Sequence, residues 1–265
     1  MGITSDWLAD IFDSLRKLEI SCKAASDDTF NLVILDDGRL VLNLIPMVNS
    51  YKPELLVEKQ KSFHEHGILL IQLWEDIWLK KKEQVLSRII SLLGRNQKLH
   101  GRKTKIEILD QARADEFLFK YHLQGSAKAR YKFGLTYNQE LVAVATFSGS
   151  RLMKQKGPEY RSAELIRFAS KSTFTVTGGL TKLLKHYLGL VKPNDLMSYA
   201  DRDWSYGKGY ESSGFILTEV QEPSYLWLDT ATLSRYFPHR RPTEEQQSNF
   251  VEIFNTGNLK YILYL

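Results

Sequence analysis

The chain has 265 residues, of which 43% are hydrophobic and 25% are charged, and this composition is typical of a soluble globular protein with one large domain or two modest ones. Its single cysteine, Cys22, excludes an internal disulfide and is compatible with a reducing cytoplasm. The first residues do not resemble a secretory signal. Apolar runs such as Ile68–Ile71 are far shorter than the roughly 20 residues that span a bilayer. We therefore expect a soluble, cytoplasmic protein.

The net charge of +5 is unevenly distributed along the chain. Residues 98–161 hold 13 Lys and Arg against 6 Asp and Glu, whereas residues 1–97 hold 12 against 14. Clustered positive charge attracts phosphate backbones and releases their counterions, although a solvated linker is the plain alternative. We expect a nucleic-acid partner. The cations expected to contact it are Arg102, Lys103, Lys105, Lys128, Arg130, Lys132 and Arg202.

The first third of the sequence predicts a small α/β unit. Apolar residues at helical spacing predict a helix over residues 7–18, and Asp36-Asp37-Gly38 between two apolar runs predicts a hairpin. A helix ending before Gly67, a buried strand over residues 68–74 and a helix ending at Gly94 are predicted next. The basic stretch that follows predicts a domain boundary, which divides the chain into residues 1–97 and 98–265.

The second part of the sequence predicts a mixed sheet. In chain order we expect a helix over 115–121, a hairpin of strands 133–137 and 141–147, a strand over 163–169, a helix over 180–191, a strand over 196–200, a short helix over 209–213, and closing strands over 225–229 and 260–265. This order gives an α/β (α+β) fold class, because hairpins and a strand–helix–strand unit share one sheet.

The strongest local feature is the run Val176-Thr177-Gly178-Gly179-Leu180-Thr181-Lys182, which joins a loop to the amphipathic helix. Paired glycines let backbone N–H groups approach a ligand, and a helix N-terminus offers orphan donors and a positive dipole end. The run therefore predicts a cradle for a pyrophosphate, although glycines also serve simply to turn a loop. It matches neither the Walker nor the dinucleotide-binding fingerprint.

The order of elements around this run ends in Tyr210-Glu211-Ser212-Ser213-Gly214-Phe215 and resembles the core of the GNAT superfamily of acyl-CoA-dependent N-acyltransferases. The resemblance implies that residues 176–182 hold the pyrophosphate of acetyl-CoA or another acyl-CoA. It also implies that Arg167, Phe168 and Ala169 line a pantetheine slot between two splayed parallel strands, and that Tyr210 is the general acid. The run is shorter than in the family and lacks the usual Arg/Gln-x-x-Gly-x-Gly/Ala.

Four further segments resemble a GNAT-like module of phage and mobile-element proteins, and more distantly the Mom-type DNA base modifiers: residues 122–125, 164–168, 198–205 and 225–227. In those proteins the module often follows a very-short-patch-repair-like nuclease domain. Residues 67–78 of this chain resemble the end of that nuclease domain. An active nuclease of this kind needs clustered carboxylates and a lysine for its metal. Leu42-Asn43-Leu44 carries no such acid-x-Lys pattern, so we expect residues 1–97 to be a degenerate nuclease-like domain without a metal.

Three more residues are candidates for catalysis. His122 could deprotonate an amine, or it could cap the helix that precedes it. Glu164, on the strand beside the proposed slot, could act as base directly or through water, or it could be an ordinary strand residue. Asp201 could orient an amine at a strand end, with an ion pair to Arg202 as the alternative.

Two functions therefore stand side by side. The first is acyl transfer from an acyl-CoA to an amine, plausibly on a nucleobase. The second is a non-catalytic DNA- or RNA-binding protein derived from a two-domain protein of the homing-endonuclease type. Active cleavage is a weaker third reading, which the missing acid-x-Lys pattern opposes.

Overall fold

The computed structural model describes residues 5–26, 29–240 and 249–265. Its α-helices are α1 (Ser5–Lys17), α2 (Pro53–Glu65), α3 (Glu75–Leu92), α4 (Gln111–Tyr121), α5 (Gly179–Val191) and α6 (Lys208–Glu211). Its strands are β1 (Cys22–Ser26), β2 (Asn31–Leu35), β3 (Leu40–Ile45), β4 (Leu69–Trp74), β5 (Gln97–His100), β6 (Lys105–Ile108), β7 (Tyr131–Tyr137), β8 (Glu140–Phe147), β9 (Arg151–Leu152), β10 (Arg161–Ser170), β11 (Phe174–Thr177), β12 (Asp195–Asp201), β13 (Ile216–Val220), β14 (Tyr225–Asp229), β15 (Ser234–Tyr236), β16 (Phe250–Phe254) and β17 (Asn258–Tyr264).

The chain forms two compact units that interleave along the sequence. Unit 1 comprises Met1–Lys82, Ala200–Tyr206 and Val220–Leu259, and unit 2 comprises Glu83–Tyr199, Gly207–Glu219 and Lys260–Leu265. The helix α3 passes from one unit to the other, and its backbone is kinked at Lys81. The domain boundary between residues 97 and 98, which the basic stretch predicts, stays a prediction.

Unit 1 contains a four-stranded sheet in the order β1-β2-β3-β4 and a three-stranded sheet in the order β15-β14-β16. The predicted hairpin is confirmed as β2 and β3, and both Asp36 and Gly38 have positive φ in its turn. The parallel pairing of β3 with β4 places Asn43 beside Gln72, and the two buried amides share a hydrogen bond of 2.7 Å. The sequence did not indicate β1, because its residues lack apolar alternation.

Unit 2 is built on an eight-stranded mixed sheet with the order β13-β17-β12-β10-β8-β7-β6, in which β9 pairs with β10. The pairs β6–β7, β7–β8 and β8–β10 are antiparallel, while β10–β12 is parallel. The helix α5 connects these two parallel strands, and Leu183, Leu184 and Tyr187 on its inner face are buried. The predicted α+β fold with a mixed sheet is thereby confirmed.

The basic stretch after α3 is regular in structure. Residues 97–100 form β5, which pairs in parallel with β11, and Gly101–Lys103 form a turn of 3-10 helix before β6. The parallel pair was not evident in the sequence, because each strand has only four residues and β5 is mostly exposed. Among the helices that the structure describes, none is long and apolar enough to cross a membrane.

Candidate functional site

The run of residues 176–182, here called the glycine turn, opens the helix α5 toward solvent. Gly178 has φ +72° and no side-chain cap serves this helix end. A Cβ atom at Gly178 would meet nothing within 4 Å, whereas one at Gly179 would lie 2.8 Å from Val176 Cγ1. Thus Gly178 faces outward and Gly179 packs inward. The first amides of a helix have no partner within it, which is the feature on which the predicted anion site depends.

The inner side of the glycine turn is closed by the turn of β5 and its 3-10 helix. A Cβ atom at Gly101 would lie 3.1 Å from the Gly179 nitrogen, so the two backbones touch. Lys182 donates from Nζ to the carbonyl oxygen of Gly101 at 3.0 Å and also to that of Thr104. Its ammonium group therefore fixes this packing. In the predicted pyrophosphate site the backbone amides, rather than Lys182, would contact the ligand.

The two parallel strands on either side of α5 separate. Their ladder has only three rungs, and its last one joins Glu164 to Met197. Beyond that rung β10 continues to Ser170 against β8 alone, while β12 continues to Asp201. We call the space beyond this rung the strand gap. Its presence agrees with the splayed strands that the GNAT resemblance implies.

Beyond the last rung, backbone groups of β10 have no pairing partner in β12. Arg167, Phe168 and Ala169 are in register with residues 146, 145 and 144 of β8. In an antiparallel pair the N–H groups of successive residues point alternately toward the partner and away from it. Some amides of residues 167–169 therefore face the side that β12 has left. These are the amides that could polarise a thioester carbonyl.

Tyr210 lies on α6, and its hydroxyl group lies at the start of the strand gap. Its Oη is 3.1 Å from Ser198 Oγ, which is 2.9 Å from the Leu165 carbonyl oxygen. The Tyr210 ring stacks on Tyr261 with centroids 5.3 Å apart. Burial raises the pKa of Tyr210, against smaller opposing effects of Ser198, Arg88 and Arg167, so the phenol is protonated at neutral pH. A protonated phenol at this place can act as a general acid.

The position of Tyr210 depends on Gly207. This glycine has φ +79°, and a Cβ atom on it would lie 2.1 Å from the Tyr261 hydroxyl oxygen. Only a residue without a side chain lets Tyr261 reach the Tyr210 ring. Tyr261 in turn donates a hydrogen bond of 3.1 Å to Glu211.

Glu164 occupies the last rung before the strand gap. Burial raises the pKa of its carboxyl group, and nearby Arg151 and Arg167 oppose this effect. No residue that the structure describes donates a hydrogen bond to this carboxylate. The Arg167 guanidinium instead donates to the carbonyl oxygens of Gly125 and Ile166, at 3.3 and 2.8 Å. Glu164 therefore has the environment of a base whose proton affinity is increased.

His122 forms the C-terminal cap of α4. Its backbone N–H donates to Leu118, and its ring Nδ1 accepts a hydrogen bond of 3.1 Å from the Gln124 N–H. Because Nδ1 is the acceptor, the neutral ring carries its proton on Nε2. No lone pair remains for a substrate amine in this arrangement. His122 therefore caps α4 in this structure, and its role as a base stays a prediction.

Asp201 and the nucleic-acid candidate Arg202 belong to unit 1, whereas Glu164 and Tyr210 belong to unit 2. Asp201 Oδ1 accepts the backbone N–H of Asp203 at 3.0 Å, and Arg202 Nη1 donates to the Thr256 carbonyl oxygen at 3.0 Å. Both side chains thus brace a loop.

Asp203, which the sequence did not single out, is buried and accepts two hydrogen bonds from Thr256. Burial and the charge of Asp201 raise the pKa of Asp203 to about 7.

The six other nucleic-acid candidates lie in unit 2. Arg102, Lys103 and Lys105 are exposed in and after the 3-10 turn, and Lys128 and Arg130 are exposed before β7. The Arg130 guanidinium lies 5.7 Å from the centroid of the Tyr131 ring, and Lys132 donates to the Ala129 carbonyl oxygen at 3.1 Å. Five of the six cations are therefore available to an anionic partner, while Lys132 is partly engaged.

Ser198 is the residue at this site that sequence reasoning missed. It is only 2% exposed, and it was part of a resembling segment without any assigned role. Its function depends on where the β10–β12 ladder ends, and the sequence does not encode that position in any local pattern.

Comparisons with known proteins give weak likenesses. No protein-family model matches the chain, and no curated protein matches it. A GNAT family acetyltransferase from Elizabethkingia anophelis with acetyl-CoA bound is 13% identical, with a TM-score of 0.38 over 62% of this chain and 99% of that one. An acetyltransferase from Bacillus subtilis in complex with CoA is 13% identical, with a TM-score of 0.37 over 62% and 99%. The ribosomal-protein-S18-alanine N-acetyltransferase from Escherichia coli is 15% identical, with a TM-score of 0.36 over 61% and 93%. At these values the family of the chain stays open.

Proposed function

We propose that the protein is a GNAT-like N-acyltransferase that uses an acyl-CoA donor. The observation that carries this proposal is the end of the β10–β12 ladder at Glu164 and Met197. The strand gap lies toward the carboxyl ends of both parallel strands. The chain leaves β10 at that edge, forms the short strand β11 and then enters the crossover helix α5, which leads to β12. An elongated donor can thus place its pyrophosphate at the glycine turn and its acyl arm in the strand gap.

The reaction follows from the groups around the strand gap. Glu164 removes a proton from the attacking amine, directly or through a water molecule. The amine nitrogen bonds to the thioester carbon, and amides of residues 167–169 stabilise the negative charge on its oxygen. The carbon–sulfur bond then breaks, and Tyr210 donates its proton to the leaving thiolate. The raised pKa of Glu164 and of Tyr210 suits these two roles.

We propose an amine on nucleic acid, or on a nucleic-acid-associated molecule, as the acceptor. The support is the excess of positive charge over residues 98–161 and the exposure of Arg102, Lys103, Lys105, Lys128 and Arg130. In this proposal residues 1–97 descend from a very-short-patch-repair-like nuclease and grip nucleic acid without cutting it, and the acyltransferase part is related to Mom-type base modifiers.

The proposal is tested by incubating the purified protein with isotopically labelled acetyl-CoA and single- and double-stranded oligonucleotides. We expect release of the CoA thiol together with an acetyl mass increment on a nucleobase. Thermal stability should also rise with acetyl-CoA concentration. Oligonucleotide binding that weakens with salt, without any effect of acetyl-CoA, would instead support the non-catalytic binding protein. Metal-dependent nicking of plasmid DNA would contradict the inactive nuclease.

A further inference from the structure

The end of the β10–β12 ladder contains one side-chain hydroxyl with two neighbours. Ser198 Oγ lies 2.9 Å from the Leu165 carbonyl oxygen and 3.1 Å from Tyr210 Oη. A serine hydroxyl has one hydrogen, so it can donate to only one of these atoms at a time. The carbonyl oxygen can only accept. When Ser198 donates to Leu165, the Tyr210 hydroxyl can donate to Ser198 Oγ at 3.1 Å or to the Tyr199 carbonyl oxygen at 3.4 Å, and the contact with Ser198 is the shorter one.

We propose that Ser198 is a positioning residue for the acyl transfer: it holds the Tyr210 hydroxyl at the start of the strand gap and switches its own hydrogen from Leu165 to Tyr210 when Tyr210 loses its proton. This inference rests on the proposed function. Ser198 does not touch the reacting atoms; it acts through Tyr210. The hydroxyl also replaces the missing fourth rung of the ladder, since it ties β12 to the first residue of β10 beyond the last pair.

In this step the hydrogens of Ser198 and Tyr210 each have a defined donor and acceptor. Before transfer, the Ser198 hydroxyl donates to the Leu165 carbonyl oxygen and the Tyr210 hydroxyl donates to Ser198 Oγ. As the carbon–sulfur bond breaks, the Tyr210 proton passes to the thiolate sulfur and a phenolate remains. The Ser198 hydroxyl then rotates and donates to the phenolate oxygen. The phenolate recovers a proton from solvent after CoA leaves.

Few other groups can stabilise that phenolate. On α6 the phenol is followed by Glu211, which is engaged by Tyr261 of β17, and the Tyr261 ring covers the Tyr210 ring. The cations that act on Tyr210 are Arg88 of α3 and Arg167 of β10, through charge alone. From β12, the Tyr199 carbonyl oxygen lies 3.4 Å from Tyr210 Oη and can only accept. Among these neighbours Ser198 is the group that donates a hydrogen bond to the phenolate oxygen.

The first test measures Tyr210 itself, without turnover. The full chain is labelled with tyrosine carrying carbon-13 at Cζ, and the Tyr210 resonance is assigned by its loss in Tyr210→Phe. In Ser198→Ala we expect the titration midpoint of Tyr210 to rise by about one unit, because a hydrogen bond to the charged form is lost. Ser198→Thr should restore the wild-type midpoint, and Ser198→Cys should lie between them. A midpoint that stays within about 0.3 units in Ser198→Ala and Ser198→Cys would overturn the proposal.

The second test uses the reaction. We expect kcat to fall by about 10- to 100-fold in Ser198→Ala, with KM for acetyl-CoA unchanged within about threefold. Against a Tyr210→Phe background the same substitution should have almost no effect, because both act through one proton. Multiplicative losses in the double variant would overturn the proposal. If no variant transfers acyl groups, the proposed function fails, yet the titration still decides whether Ser198 controls Tyr210.

Discussion

Two carboxylates near the same parallel pair have opposite environments. Asp195 begins β12 and is buried, and burial raises the pKa of its carboxyl group, but Lys156, Ser162 and Tyr160 together outweigh this and lower the pKa overall. The hydrogen bonds are made to Oδ2, while Oδ1 is buried without a hydrogen-bond partner among the described residues. Lys156 Nζ and Tyr160 Oη both lie 2.8 Å from Asp195 Oδ2. Two rungs further along, the pKa of Glu164 is raised, because burial exceeds the effects of Arg151 and Arg167.

This difference separates the paired end of the two strands from the strand gap. A buried carboxylate that accepts several hydrogen bonds stabilises the fold and has little capacity left for chemistry. One that is desolvated without such partners holds a proton more readily and can exchange it with a substrate. In the proposed function Asp195 therefore has a structural role and Glu164 a chemical one, and the substitutions below test this part of the proposal.

The largest effect on activity is expected at Tyr210, whose hydroxyl group lies at the start of the strand gap. Tyr210→Phe keeps the ring that stacks on Tyr261 but removes the proton donor. We expect kcat to fall by about 10²- to 10⁴-fold with an unchanged melting temperature. Tyr261→Phe is the matched control, since it removes the hydroxyl that donates to Glu211 and keeps the ring that stacks on Tyr210, and it should retain most activity. Steady-state kinetics with acetyl-CoA compares the two, and equal losses would place the chemistry elsewhere.

The next effect is expected for Glu164→Gln, with a loss of about 100-fold in kcat/KM. In the wild type the base must be ionised, so activity should fall as pH drops through the raised pKa of Glu164, above the ordinary value of about 4.3. That acidic limb should vanish in the variant. The stability has the opposite sign: ionised Glu164 destabilises the folded state above its raised pKa, so the glutamine variant should melt at a higher temperature. A lower melting temperature would contradict the assignment.

Asp195→Asn should lower the stability and leave the activity nearly unchanged, the reverse of what we expect for Glu164→Gln. The variant loses the charge that holds Lys156 and Tyr160, and we expect a loss of about 2 kcal/mol in the free energy of unfolding. Activity per folded molecule should remain within about twofold. The lowered pKa means that this stabilisation is present above the unfolded value of about 3.9 and is lost as pH falls through the folded one. Urea unfolding at pH 7 and pH 3 checks both statements. If Asp195→Asn were stable but inactive, Asp195 would have a chemical role and not a structural one.

The smallest effect concerns the acceptor. The double variant Lys128→Ala and Arg130→Ala should weaken oligonucleotide binding by about tenfold, and the slope of log affinity against log salt should shrink by about one to two. Lys52→Ala with Lys185→Ala removes the same charge from exposed positions of the two units and should change little. Fluorescence anisotropy at several salt concentrations measures both. An equal effect of the two pairs would mean that only net charge matters.

The sequence predicted the parts of unit 2 that follow local rules. The hairpin of β7 and β8, the helix α5 and the glycine turn all carry patterns of spacing and turn residues that depend on neighbours in sequence. The sequence did not predict the pairing of β5 with β11, because residues 97–100 and 174–177 are short segments that lie far apart in the sequence. For the same reason the basic stretch 98–105 could be taken for a linker.

The candidate site was predictable in outline only. Tyr210 and Glu164 follow from the resemblance and from their place on predicted elements. The capping role of His122 depends on a hydrogen bond from Gln124, and the role of Ser198 depends on the rung at which a ladder ends. Asp201 is the last residue of β12 and Arg202 follows it, yet both belong to unit 1, which only the packing of distant segments reveals.

The central claim is that the amides opening α5 bind the anionic part of an acyl-CoA, and a change at Thr181 tests it most directly. Thr181 is the third residue of the helix, where glutamate can satisfy the free amides with its own carboxylate and stabilise the helix. Thr181→Gln is the neutral control of the same size. By titration calorimetry we predict that acetyl-CoA binds the wild type and Thr181→Gln alike, and binds Thr181→Glu at least about tenfold more weakly although that variant is no less stable. Equal binding by all three proteins, or no binding by the wild type, would contradict the claim.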